Sequence, residues 1–266
     1  MPRKKVTGTC RICGVEGNLS FEHVPPRQAF NNKPVLMAKF EDVLEKGTKP
    51  VTEGRLQQKG VGGHTLCERC NNNTGSWYGT SFVDWTYQAL LLQQRSGGNS
   101  SFLHPYHIFP LRVIKQVITM FFSVNSHELS KRHPDLVQFI LDKERRYINP
   151  SIKFYAYLME GTAIRMVGLS VKSHFNNYGK RDLVHLSEIA YPPCGYVMTI
   201  DSPKPDIRLF EISHFAHYKY NEWINDWFRL PVLPVHMSII PGDYRTEGQI
   251  EEDYLRNVTE EEKPNI

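Results

Sequence analysis

With 266 residues, 40% of them hydrophobic and 23% charged, the chain has ordinary globular composition and enough length to bury a core without disulfides; collagenous, coiled-coil and wholly disordered classes are excluded. Its net charge of +4 is unevenly placed: residues 1–240 carry 29 Lys/Arg against 20 Asp/Glu, and residues 241–266 carry 3 against 8. The basic body suits a polyanionic partner, and no apolar run reaches the ~18 residues of a membrane-spanning helix.

The N-terminal residues MPRKKVTGTC are basic but lack an apolar segment behind them, so no secretory signal is expected and the cytoplasm is the expected compartment. Cys10 and Cys13 form one C-x-x-C pair, Cys67 and Cys70 another. Between them lie turn-rich stretches at Val24-Pro25-Pro26 and 60–63, with a short helix expected over Val35–Leu44. After Cys70, apolar residues at Trp77 or Tyr78, Phe82, Trp85, Ala89 and Leu92 mark one face of a helix that ends near Arg95, with Asn71 to Thr74 supplying caps at its start. SGGNSS at 96–101 is the expected boundary.

A core helix is expected from Phe109, with Pro110 in its first turn, and a more polar one over about 134–145. Period-two patterning follows. Residues 153–171 read as a hairpin turning at Glu160-Gly161, and the stretches LVHLSEIAYPPCGYVMTID and DIRLFEISHFAHY read as further strands. The fold class is therefore α+β: an N-terminal module over 1–97, an α+β domain of unknown role over 101–245, and an acidic tail over 246–266.

Two C-x-x-C pairs can wrap one tetrahedral zinc with four thiolates, a closed set that leaves no position for a reactive water. Such a zinc would hold together what lies beside it, namely Glu22-His23 and Asn71. A carboxylate, an imidazole and an amide are the groups that organise a hydrated divalent cation and an attacking water.

The motifs C-R-I-C-G at 10–14, E-H-V-P-P at 22–26 and L-C-E-R-C-N-N-N-T-G at 66–75 resemble those of the HNH nucleases, in the subset with two zinc knuckles. The resemblance covers about residues 8–95. It implies a ββα-metal module in which His23 is the general base, Glu22 and Asn71 hold a catalytic Mg²⁺ or Mn²⁺, and Cys10, Cys13, Cys67 and Cys70 bind a structural zinc. It further implies an endonuclease acting on DNA phosphodiesters, double-stranded DNA as partner, a second copy or a regulatory protein as further partner, and a regulated role in defence against phage. Two features depart from the family pattern. Its middle asparagine would fall at Gly62, so bracing of the loop passes to the backbone or to His64; and the gap between the motif halves, 24–64, is long, implying an insertion around Phe30–Glu53.

Arg27 supports the site as a phosphate contact, and Lys33, Lys39 and Arg69 lie close enough in sequence to join it. His64 is expected to support His23. His214 and His217 read as core or strand histidines, and Cys194 as a buried or turn thiol. The alternative to the nuclease is a non-catalytic zinc-knuckle module that binds nucleic acid or protein.

Overall fold

Two antiparallel strands and the helix that follows them frame the N-terminal part. The computed structural model describes residues 5–38, 54–95, 101–161, 164–175 and 181–234. Strands β1 (Val6–Thr9), β2 (Glu16–His23) and β5 (Gly62–Cys67) form a sheet in the order β1-β2-β5, and β2 pairs β5 with His23 opposite Gly62 and Glu22 opposite Gly63. A bulge between Ser20 and Phe21 shifts the register there. The insertion between β2 and β5 holds a two-stranded ribbon, β3 (Val35–Met37) with β4 (Arg55–Gln57). The helix expected over Val35–Leu44 is thus a strand in its first residues; the rest lies outside the described residues.

Helix α1 (Glu68–Arg95) leaves β5 directly. It buries Tyr78, Phe82, Trp85, Ala89 and Leu92, the face that the apolar spacing predicts. It starts earlier than expected, so Asn71 sits in its first turn rather than capping it, and the Thr74 hydroxyl donates back to Cys70 O at 2.9 Å. Helix α2 (Pro110–Val124) begins at Pro110 as expected but is buried all round, touching α1, β5 and the strands Arg165–Phe175 and Arg181–Tyr191. That position draws Lys115, Gln116, Thr119 and Ser123 inside, although their residue types suggest a solvent face. Two short helices, α3 (Glu128–Arg132) and α4 (Pro134–Leu141), follow.

The larger sheet runs β6-β12-β7-β10-β9-β8, built from β6 (Ser101–Ile108), β7 (Ile152–Glu160), β8 (Arg165–Phe175), β9 (Arg181–Tyr191), β10 (Cys194–Ile200) and β12 (Ile224–Pro234), with β11 (Phe210–Glu211) paired to β7. The hairpin expected at Glu160-Gly161 does not form: β7 pairs β10 and β12, and β8 pairs β9. The reason is burial. β7 is apolar on both faces and needs a partner on each side, the place of a central strand. In the DIRLFEISHFAHY stretch only Phe210–Glu211 is a strand; Ser213–His217 is a 3-10 helix that buries Phe215 against α2. β6 and β12 were not legible as strands.

One apolar core runs from Cys10, Ile12 and Leu66 through α1 and α2 to Phe154, Met198 and Phe228, so it continues past the expected boundary at residue 97. The acidic tail lies outside the described residues. None of the described helices is long and apolar enough to cross a membrane.

Candidate functional site

The first C-x-x-C pair sits on a tight turn after β1, closed by Gly14 N–H donating to Cys10 O at 2.9 Å, with Gly14 at φ +74°. Arg11 N–H donates to Thr65 O at 2.9 Å and fastens that turn to β5, whose last residue is Cys67. Cys70 follows in the first turn of α1. All four sulfurs lie within 4.8 Å of one another, and Cys13 Sγ is 3.8 Å from Cys67 Sγ. Tetrahedral ligands at ~2.3 Å are separated by about 3.8 Å, so the cluster can hold a metal such as zinc. Cys194 stands apart at the start of β10, where burial pushes its thiol up to about 12.

His23 closes β2 on the same side as Phe21, their ring centroids 5.0 Å apart. Its Nε2 lies 3.1 Å from Lys59 O. In the neutral ring, Nε2–H donates to that carbonyl and Nδ1 keeps its lone pair as the basic nitrogen. Partial burial lowers the imidazole pKa, with the Arg27 charge adding to the effect and the Lys59 carbonyl opposing it.

Glu22 points to the other side of the strand, as period two demands, and is only 6% exposed. Its Oε2 accepts from Ser123 Oγ of α2, and Arg11 Nη1 donates to Ser123 O beside it. Burial pushes the carboxyl from 4.5 up to about 8, against the pull of the Ser123 hydroxyl. The folded protein therefore holds a proton that the unfolded chain releases between those values. Stability from this group is full below about 4.5 and is lost as pH rises through 8, with a slope of up to about 1.4 kcal/mol per pH unit. Glu22→Gln is expected to flatten that slope in denaturant titrations of the zinc-loaded protein; an unchanged slope would show that Glu22 is ionised when folded.

Asn71 reaches back across the strand, Nδ2 donating to Ser20 Oγ at 3.0 Å and to Phe21 O at 3.3 Å. With Nδ2 committed to β2, Oδ1 is the candidate ligand atom. Glu22, His23, Arg27 and Asn71 all border one cavity of about 360 Å³, together with Gln116 from α2.

His64 is not brought to this group. It is exposed on β5, packs against the Phe21 ring with centroids 5.4 Å apart, and does not border the cavity. Bracing falls to Asn31, which is fully buried: Nδ2 donates to Pro25 O and Val61 O, and Oδ1 accepts from Val61 N–H, each at 2.7 Å. These bonds tie the loop after His23 to the loop before β5. Gly62 could not do this, because a Cβ there would lie 2.1 Å from Glu22 O. Asn31→Ala leaves two buried backbone groups, Pro25 O and Val61 N–H, without this partner, while Val61 O keeps Val24 N–H, and is expected to cost about 2 kcal/mol in chemical denaturation.

Lys33 and Arg69 are exposed and away from the cavity, and Lys39 lies outside the described residues. The sequence carried no signal for Asn31, Ser123 or Gln116. The first stands in an ordinary Asn-rich turn, and the other two read as the polar positions of an apolar helix.

Compared with protein-family models, with curated proteins and with solved structures, the chain matches none. What fold and site define is a mixed α/β protein whose N-terminal part carries a four-cysteine cluster suited to a metal such as zinc.

Proposed function

We propose that this protein is a metal-dependent endonuclease of the HNH type that hydrolyses DNA phosphodiester bonds. The observation that carries the reading is that Glu22, His23 and Asn71, from the end of one strand and the start of a distant helix, border a single cavity. The donor set fits a hard divalent ion: one carboxylate, one amide oxygen and room for water. Mg²⁺ or Mn²⁺, when bound by Glu22 and Asn71, supplies charge neutralisation at the leaving 3′ oxygen. His23 Nδ1 takes the proton of the attacking water, and the Lys59 carbonyl fixes the ring tautomer that leaves that nitrogen free. Arg27, at the cavity rim, pairs with a substrate phosphate. The four cysteines hold zinc at the base of the strand pair and keep β2 and α1 in register. Because Glu22 carries a proton up to about 8, cation and proton compete for it, and cation affinity rises with pH.

The Ser123 contact with Glu22 favours a second reading, a non-catalytic zinc-knuckle module that binds nucleic acid or protein. Incubating supercoiled plasmid with purified protein and Mg²⁺ or Mn²⁺, with a chelator control, separates the two. Metal-dependent nicking supports the nuclease; DNA binding with intact plasmid across all metals supports the module.

A further inference from the structure

The cavity extends well beyond the groups that the chemistry needs. Asn71, Gly75, Gly79 and Val83, at four-residue intervals, form one wall along about 18 Å of α1. Glycine is among the poorest residues for a helix interior, and here no packing demands it: a Cβ added at Gly75 or at Gly79 would meet nothing within 4 Å. The space beside them is open to something that is not part of the chain. The opposite wall holds Gln116, which is 3% exposed and whose Oε1 has no hydrogen-bond partner among the described residues. A buried amide oxygen without a partner is an acceptor that a donor on a bound group satisfies once the carboxamide turns toward the cavity. Phe21, 41% exposed at the same cavity, offers an apolar ring beside it.

We propose that this groove takes one unstacked nucleotide flanking the scissile phosphate, its base against Phe21 and a donor on its polar edge at Gln116, so that the preferred substrate has unpaired nucleotides rather than an intact duplex. The inference rests on the nuclease reading for the scissile phosphate, but the binding itself does not need cleavage. A cavity of this volume accepts a nucleotide-sized group and not the width of a double helix. Enzymes that read a base in a pocket select strands where unstacking costs least.

The test measures fluorescence anisotropy with zinc-loaded His23→Ala protein in Ca²⁺, so that nothing is cut. The probes are a labelled single strand, the same strand in a full duplex, and a duplex with one bulged nucleotide. Single-stranded and bulged probes are expected to bind about 10-fold more tightly than duplex, since one stacked or hydrogen-bonded base is worth that much. Adding Gly79→Ala or Gln116→Leu is expected to erase that preference while duplex binding stays constant. Gly79→Ala should at the same time raise Tm by about 2–4 °C, because the helix improves. Equal binding of all probes overturns the proposal, as does a preference that survives both substitutions. Cutting by the unsubstituted protein without strand preference also overturns it and leaves the nuclease reading standing. Preference without any cutting supports the groove and overturns the nuclease.

Discussion

His23→Ala is expected to slow plasmid cleavage by a factor of about 10²–10⁴, the usual contribution of a positioned general base. Zinc content, Tm and DNA affinity in Ca²⁺ should stay at their original values, because the ring is only partly buried and its one hydrogen bond among the described residues is to Lys59 O. The pH profile carries a second signature. On the nuclease reading, protonation of His23 removes the base, so activity is expected to fall as pH drops through a folded-state pKa that lies below 6.5. On the same reading, protonation of Glu22 would remove a cation ligand, with its folded-state value at about 8. At low Mg²⁺ the rate is therefore expected to rise with pH up to about 8, and saturating Mg²⁺ should shift that limb down toward the His23 limb. Profiles that coincide at the two Mg²⁺ concentrations would show that Glu22 does not bind the ion, and full activity in His23→Ala would show that the base lies elsewhere.

Removal of zinc, by chelation or by Cys70→Ser, is expected to unfold the β1-β2-β5 sheet and the first turn of α1. Structural zinc contributes about 10–16 kcal/mol to the folding of small thiolate modules, as much as the whole stability of an ordinary domain. The small sheet brings little core of its own: β1 is exposed or half-buried throughout, β2 buries only Glu22, and β5 adds Thr65 and Leu66. The rest of α1 packs through Tyr78, Phe82, Trp85 and Ala89 on α2 and the larger sheet, so loss should stop near Thr74. Hydrogen exchange with and without chelator checks this: amides of β2 and β5 should lose protection while those of α2 and β7 keep it. Cleavage should vanish in the stripped protein even at saturating Mg²⁺, and zinc alone should not support it. Unchanged protection of β2 on chelation would show that the thiolates do not hold the sheet.

The parts of the fold that could be read in advance are those whose signal is confined to a few neighbouring residues. The stripe on α1 is such a case, because a 28-residue helix repeats its buried face through Tyr78, Phe82, Trp85, Ala89 and Leu92. Pro110 at the start of α2 is another. Strand partners were not legible in this way: β7 and β8 follow each other in the chain, yet β7 lies between β10 and β12 because its two apolar faces require an interior place. The 3-10 helix at Ser213–His217 misled for a related reason. The alternation of Phe210, Glu211, Ile212 and Ser213 that leads into it fits a strand, and the α2 surface beneath Phe215 gives the following residues a different shape.

The candidate site divides along the same line. Cysteine spacing, the Glu22-His23 pair and the asparagine after the second knuckle are local patterns, and from them the thiolate cluster and the residues beside the cavity can be named without coordinates. Which way the loop after His23 is held, through Asn31 rather than His64, depends on contacts between segments some thirty residues apart. The proton affinity of Glu22 depends on α2, which lies a hundred residues away and both desolvates the carboxyl and offers it Ser123. Chain neighbours determine periodicity and ligand spacing, whereas burial is a property of whatever packs on top. The sequence by itself therefore determined the chemical groups and their secondary structure, and the tertiary structure alone decided their environment, because desolvation and long-range hydrogen bonds exist only once distant segments have met.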